Sequence, residues 1–121
     1  MCLPSSHVVR LCYDDVFRAL SRTEHLALME RCLGEMPRSM IEASKHGSKY
    51  FDHNGKSRWQ TCLSREGQRH VRRMRTLREF VAHDRDTGLL ELLSCLLSTD
   101  PRERATASQA LRSPFVDDRR R

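Results

Sequence analysis

Residues 21–34, SRTEHLALMERCLG, decide how the rest of the chain is read. Ser21, followed three residues on by Glu24, forms a capping-box pattern in which each side chain can bond a free backbone N–H of the first turn. Strong helix formers run from Leu26 to Arg31, and Gly34 stands where a helix commonly ends in a residue of positive φ. Leu26, Met29 and Leu33 recur at i, i+3 and i+7, with Leu28 and Cys32 widening the stripe, while Glu24, Glu30 and Arg31 can reach water. The spacing predicts an amphipathic helix over 22–33 that packs against another part of the chain.

Around that helix the composition is lean. With 121 residues the chain is long enough for one domain. Hydrophobic residues make up 38% and charged residues 31%, against the usual ~45–50% and ~25%, so the expected core is thin. The net charge of +6 permits nucleic acid, anionic lipid or acidic protein as partners without selecting among them. Cys2, Cys12, Cys32, Cys62 and Cys95 are odd in number and scattered, which argues for reduced thiols and against a disulfide framework. No apolar run approaches the ~18 residues of a spanning helix, and the N-terminus lacks a secretory layout. The expectation is an intracellular protein, nuclear or cytoplasmic, with no membrane partner.

Along the chain, residues 1–15 are poorly defined: Val8, Val9, Leu11 and Cys12 suit a short strand or the tail of a helix. Pro37 is well placed to open a helix over 37–44 that buries Met40 and Ile41. Asn54-Gly55, set between Tyr50-Phe51 and Arg58-Trp59, suits a type I′ turn and predicts a small hairpin over 50–59. Residues 60–79 are basic and weakly patterned. Leu89, Leu90, Leu92, Leu93, Leu96 and Leu97 cover more than half of a predicted helix over 88–98, so it is expected to be buried on several sides, with Cys95 an inert thiol within it. Asp100-Pro101 stops that helix, and the Thr106–Gln109 capping box starts another over 107–112, closed by Ser113-Pro114 with Phe115 as an anchor. Residues 117–121 read as a charged, mobile tail. The fold class is mainly α, with one small β-hairpin.

The same residues carry a resemblance. Glu24-His25-Leu26-Ala27-Leu28-Met29-Glu30-Arg31-Cys32-Leu33-Gly34 resembles the EHLAMMERILG signature of the LAMMER (CDC-like) protein kinases, departing at Leu28 and Cys32. Lys49, Tyr50, Phe51 and Trp59 are similar to that family's KYF…LDW segment, with Ser57 and Arg58 in place of Leu and Asp. Arg69 and Val71 overlie its Gly-Arg-Tyr-Val, and Leu77 with Glu79-Phe80 its PLKEFM. Asp100 to Ala107 and Ala110 to Phe115 resemble the DPxxRxTxxxALxHPF ending of eukaryotic protein kinases. The resemblance covers residues 16–116. It implies the C-terminal part of a kinase large lobe, in which helices 22–33, 88–98 and 107–112 flank an insert over 35–86. The parent family uses ATP and Mg to phosphorylate Ser, Thr and Tyr, typically in Arg/Ser-rich splicing factors. The resemblance also implies a structural role for Arg104, whose family counterpart pairs with the Glu of an Ala-Pro-Glu motif that these 121 residues lack.

Phosphoryl transfer needs phosphates held, metal held and a base positioned. These residues contain no Gly-rich loop, strand lysine, His-Arg-Asp loop or Asp-Phe-Gly, and Gly34, Gly47, Gly55, Gly67 and Gly88 stand apart. No catalytic, cofactor-binding or metal residue is therefore carried over, and the chain is expected to be inactive alone. His46 with His53, or Cys62 with His70, lacks the second pair that a zinc site needs. Arg65, Arg69, Arg72, Arg73, Arg75 and Arg78 read either as a solvated basic face or as a docking surface for an acidic or phosphorylated protein. RNA is disfavoured, because Trp59 alone gives little platform for base stacking. The leucine helix is expected to leave apolar surface for the missing kinase portion, or for a protein partner, to cover. The alternative to a kinase fragment is a non-catalytic remnant that acts as a basic interaction module.

Overall fold

The computed structural model describes residues 21–81 and 87–120. The predicted N-terminal segment lies outside them. The helices, in order, are α1 (Arg22–Leu33), α2 (Arg38–Ala43), α3 (Gly47–Tyr50), α4 (Trp59–Cys62), α5 (Arg65–Arg73), α6 (Leu77–Phe80), α7 (Thr87–Leu96), α8 (Ala107–Leu111) and α9 (Pro114–Arg120).

Helix α1 has the predicted span but turns a different face inward. Ser21 caps it, its Oγ accepting the Glu24 N–H at 3.2 Å, and Gly34 closes it at φ 104° with its N–H donated to the Glu30 carbonyl. The buried residues are Glu24, Ala27, Leu28 and Cys32, at i, i+3, i+4 and i+8, while Leu26, Met29 and Leu33 are half-buried. Glu24, expected in water, is only 3% exposed. The rotation is set by the element that packs on α1, which is α5.

Helix α5 lies where the sequence looked patternless. Ser64 caps it, accepting the Gly67 N–H at 3.2 Å; Glu66 sits in the first turn and His70, Arg72 and Arg73 in the last, each on the side the helix dipole favours. Its buried line is Gly67 and Val71. One large apolar residue in nine is too weak a signal for a periodicity reading, so the caps were the legible clue. Helix α6 comes next, with a complete capping box between Thr76 and Glu79. The core is Ala27, Leu28 and Cys32 of α1 against Val71, Met74, Leu77 and Phe80, with Trp59, Leu63, Leu90 and Leu93 packed at its edge.

The segment between α1 and α4 also departs from expectation. Met40 of α2 is 36% exposed and Ile41 half-buried, so α2 buries less than predicted. The hairpin reduces to one antiparallel bridge, Phe51 with Ser57. Its turn is not type I′, which needs positive φ at Asn54. Only Gly55, at φ 79°, is positive there. The Gly55 N–H donates to the Asp52 carbonyl and the Asp52 N–H to the Lys56 carbonyl, the pattern of a type I turn followed by a glycine bulge. Asp52 selects it, its carboxylate accepting the Asn54 and Lys56 N–H groups at 2.8 and 3.0 Å. The Lys56 amide, with the Asn54 amide, holds this carboxyl below its ordinary range.

Helix α7 is less enclosed than its six leucines suggested. Leu89 is buried, Leu90, Leu92, Leu93 and Leu96 are half-buried, Leu97 is 43% exposed, and Cys95, expected to be inert and buried, is exposed. Asp100-Pro101 ends this region in a turn. The Arg102 guanidinium grips the largely buried Asp100 carboxylate through Nε (3.2 Å) and a terminal nitrogen (3.0 Å), which also reaches Ser39 Oγ at 3.2 Å. That grip keeps the Asp100 carboxyl below its usual range. Helix α8 carries the predicted Thr106–Gln109 capping box. The expected mobile tail is instead α9, because Ser113 accepts the Val116 and Asp117 N–H groups, Pro114 suits the first helical position, and Asp117 lies in the first turn.

Candidate functional site

The charged residues of the 24–34 signature converge on α5 and its flanks. Glu24 Oε1 lies 2.6 Å from His70 Nδ1, in a pair whose side chains are 4% and 27% exposed. Arg31 Nε donates to the Met74 carbonyl at 3.3 Å, at the far end of the same helix. Glu30 Oε1 accepts the Met36 N–H at 3.2 Å and fixes the chain leaving α1; burial pushes this carboxyl up. Glu24 and Arg31 therefore hold the C-terminal part of α5 through contacts one turn apart, beside the packed Ala27, Leu28 and Cys32. Gly67 fits under the Glu24 carboxylate, since a Cβ there would meet Glu24 Oε2 at 3.6 Å. Leu33 joins the core edge, His25 is exposed, and Leu26 and Met29 face away from α5 toward α2 and α3. No sequence pattern marked His70, 46 residues from Glu24, as its partner.

What the grip positions is basic. Arg65, Arg69 and Arg72 stand at i, i+4 and i+7 on α5, and Arg73, Arg75 and Arg78 continue around and beyond it; all six are exposed. Among the described residues none of the six is held in an ion pair. Arg72 lies 5.9 Å over the Trp59 ring and donates to Gln68 Oε1 at 3.4 Å, so its fork is held beside an aromatic face. Such forks match carboxylate or phosphate oxygens two at a time.

Arg104 does not sit in a buried ion pair. It is exposed, and its Nε donates to the Ser98 carbonyl at 3.0 Å. The basic face and Arg104 are separate features.

No three His, Cys, Asp or Glu side chains among the described residues are grouped to hold a metal, and the two glycines of positive φ, Gly34 and Gly55, lie in different turns. His70, one of the residues weighed for zinc, is engaged by Glu24. None of the described helices is long and apolar enough to cross a membrane.

No protein-family model matches the chain. Part of a solved structure, the kinase domain of PF14_0431, is similar to this chain, with a TM-score of 0.72 and 30% identity, over 84% of this chain and 30% of that one. The fold is that of the C-terminal part of a protein-kinase large lobe. In sequence, the serine/threonine-protein kinase AFC3 of Arabidopsis thaliana is 39% identical over 84% of this chain. The human dual specificity protein kinases CLK4 and CLK1 are 39% and 38% identical over the same share. The segment is homologous to the LAMMER, or CDC-like, kinases. It spans 27% of AFC3 and 21% of each human relative.

Proposed function

We propose that this chain serves as the C-terminal part of the large lobe of a LAMMER-type kinase, and that its own contribution is docking rather than phosphoryl transfer. The observation that carries the reading is the exposed arginine line of α5, a helix whose C-terminal part is held by Glu24–His70 and Arg31–Met74. A basic face that forms no ion pair among the described residues suits acidic or phosphorylated protein segments, such as a partly phosphorylated Ser-rich substrate. ATP and Mg belong, in this reading, to a complete catalytic domain. The rest of that domain, or a protein standing in for it, covers the half-exposed leucines of α7. The setting is intracellular, nuclear or cytoplasmic.

The test has two arms. The 121-residue chain, incubated with Mg–ATP and an Arg/Ser-repeat peptide, is expected to transfer no phosphate; steady turnover would contradict the reading. In the second arm, a fluorescent phosphoserine-repeat peptide is titrated with the chain. Replacing Arg69 and Arg72 by Glu is expected to weaken binding by about tenfold or more. Equal binding by the double variant would remove the docking face.

A further inference from the structure

On the side of α1 turned away from α5 lies an open groove of about 490 Å³ between α1, α2 and α3. Its apolar lining is Leu26 and Met29 of α1, with Met36, Met40, Ile41 and Phe51 from the opposite wall. Leu26 and Met29 continue a line begun by Arg22 and His25, at i, i+3, i+4 and i+7, so α1 presents charge at its first turn and apolar surface behind it. His46 adds a third basic side chain to the lining, and Lys49 sits 5.5 Å over the ring of Tyr50, another lining residue. Among the described residues no acidic side chain lines the groove. The wall opposite α1 is tightly turned: a Cβ at Gly47 would collide with the Ile41 carbonyl oxygen, so the turn from α2 into α3 admits glycine alone.

We propose that this groove docks an acidic amphipathic helix of a partner protein, its apolar anchors against Met29, Met40 and Ile41 and its carboxylates toward Arg22, His25 and His46. Two considerations select that occupant. Three methionines give a lining that repacks around different side chains, as in grooves that accept helices by anchors at i, i+3, i+4 and i+7. The fixed charge of Arg22, with no acidic side chain among the described lining residues, favours a partner of negative charge. The groove is on the opposite side of α1 from α5, so it is independent of the arginine face.

The test uses the full chain and a fluorescein-labelled helical peptide about four turns long, with leucines at i, i+3, i+4 and i+7 and glutamates elsewhere, beside a control with lysine for every glutamate. The acidic peptide is expected to bind and the lysine peptide to bind at least about tenfold more weakly. Met40→Glu, at an already exposed position, is expected to weaken the acidic peptide about tenfold, and Arg22→Glu about threefold, an effect that shrinks as salt rises. Circular dichroism confirms that both variants fold; if Met40→Glu does not, Met40→Lys and Arg22→Glu decide. Equal binding of the two peptides would overturn the proposal. So would loss of binding in Arg72→Glu with none in Met40→Glu and Arg22→Glu, because the peptide would then sit on the arginine face. Binding that appears only after residues 1–20 are deleted, or only on dissociation of a dimer, would assign the groove to the chain's own N-terminal segment or to a second copy, and would overturn it equally.

Discussion

Helix α7 is more apolar in sequence than α1, yet the fold encloses the inner face of α1 more completely. Helix α1 finds partners for its inner face within the chain: Leu28 is fully buried, Glu24 is paired with His70, and Arg31 reaches the Met74 carbonyl. Helix α7 spends Leu90 and Leu93 on the same core, buries Leu89, and leaves Leu92, Leu96, Leu97 and Cys95 half-buried or exposed. The two helices differ in the stretch of chain that comes after each. Beyond α1 an insert folds back on it through α5, whereas the described residues beyond α7 form a tight Asp100–Arg102 turn and two short helices. A helix can therefore be strongly apolar and still lack a local reason to be enclosed.

The largest test of that difference is a pair of truncations. Leu28→Ala removes a fully buried side chain and is expected to cost about 2–5 kcal/mol in urea unfolding. Leu97→Ala, on the open side, should stay within about 0.5 kcal/mol. Comparable losses would mean that α7 is as enclosed as α1. Next comes the grip on α5: His70→Ala deprives the buried Glu24 carboxylate of a close partner and is expected to cost about 1–3 kcal/mol. It should also weaken phosphopeptide binding although it removes no arginine. A stability loss with unchanged affinity would separate the grip from the docking face.

Acid titration sharpens the contrast at the turn beyond α7. The Asp100 carboxyl is depressed by Arg102, so its contribution is present in full above the ordinary carboxylate range and is lost as pH falls through the depressed value. Thermal melts should show Asp100→Asn to be less stable at neutral pH, with the gap to wild type closing in acid. Glu30 runs the other way: burial raises its carboxyl, so folding is opposed as pH rises from its unfolded value through the raised one. Glu30→Gln keeps an oxygen for the Met36 N–H and is expected to be neutral or slightly stabilising at pH 7. At Gly67 an added Cβ meets only ordinary contacts. Gly67→Ala should stabilise α5 by about 0.5–1 kcal/mol, whereas Gly47→Ala should destabilise by about 1–3 kcal/mol.

Much of α1, α8 and the leucine helix was legible in the sequence because caps and apolar spacing agree there. Ser21, Gly34 and the Thr106–Gln109 box mark ends that the structure keeps. The face of α1 was not legible. Leu26, Met29 and Leu33 form as good a stripe as Ala27, Leu28 and Cys32, and only the position of α5 decides between them. That helix was missed because Val71 is its one large apolar residue and its stability comes from caps, charge placement and contact with α1. The Asp52 turn was misread for a physical reason: an Asn-Gly pair also fits a type I turn with a glycine bulge, and the Asp52 carboxylate chooses between the two. The tail became α9 through Ser113 and Pro114, which read as a stop for one helix and also start the next. The six arginines were visible as a cluster; that Arg65, Arg69, Arg72 and Arg73 stand on one helix packed against α1 was not.

Hydrogen–deuterium exchange on the intact chain, read by mass spectrometry of peptides spanning 24–33 and 89–97, tests the contrast most directly. The account predicts slow exchange at Ala27 to Cys32 that tracks global unfolding, and faster, locally opened exchange at Leu92 to Leu96. Equal protection of the two helices would contradict it, because α7 would then already have the cover that this reading assigns to the rest of a kinase lobe.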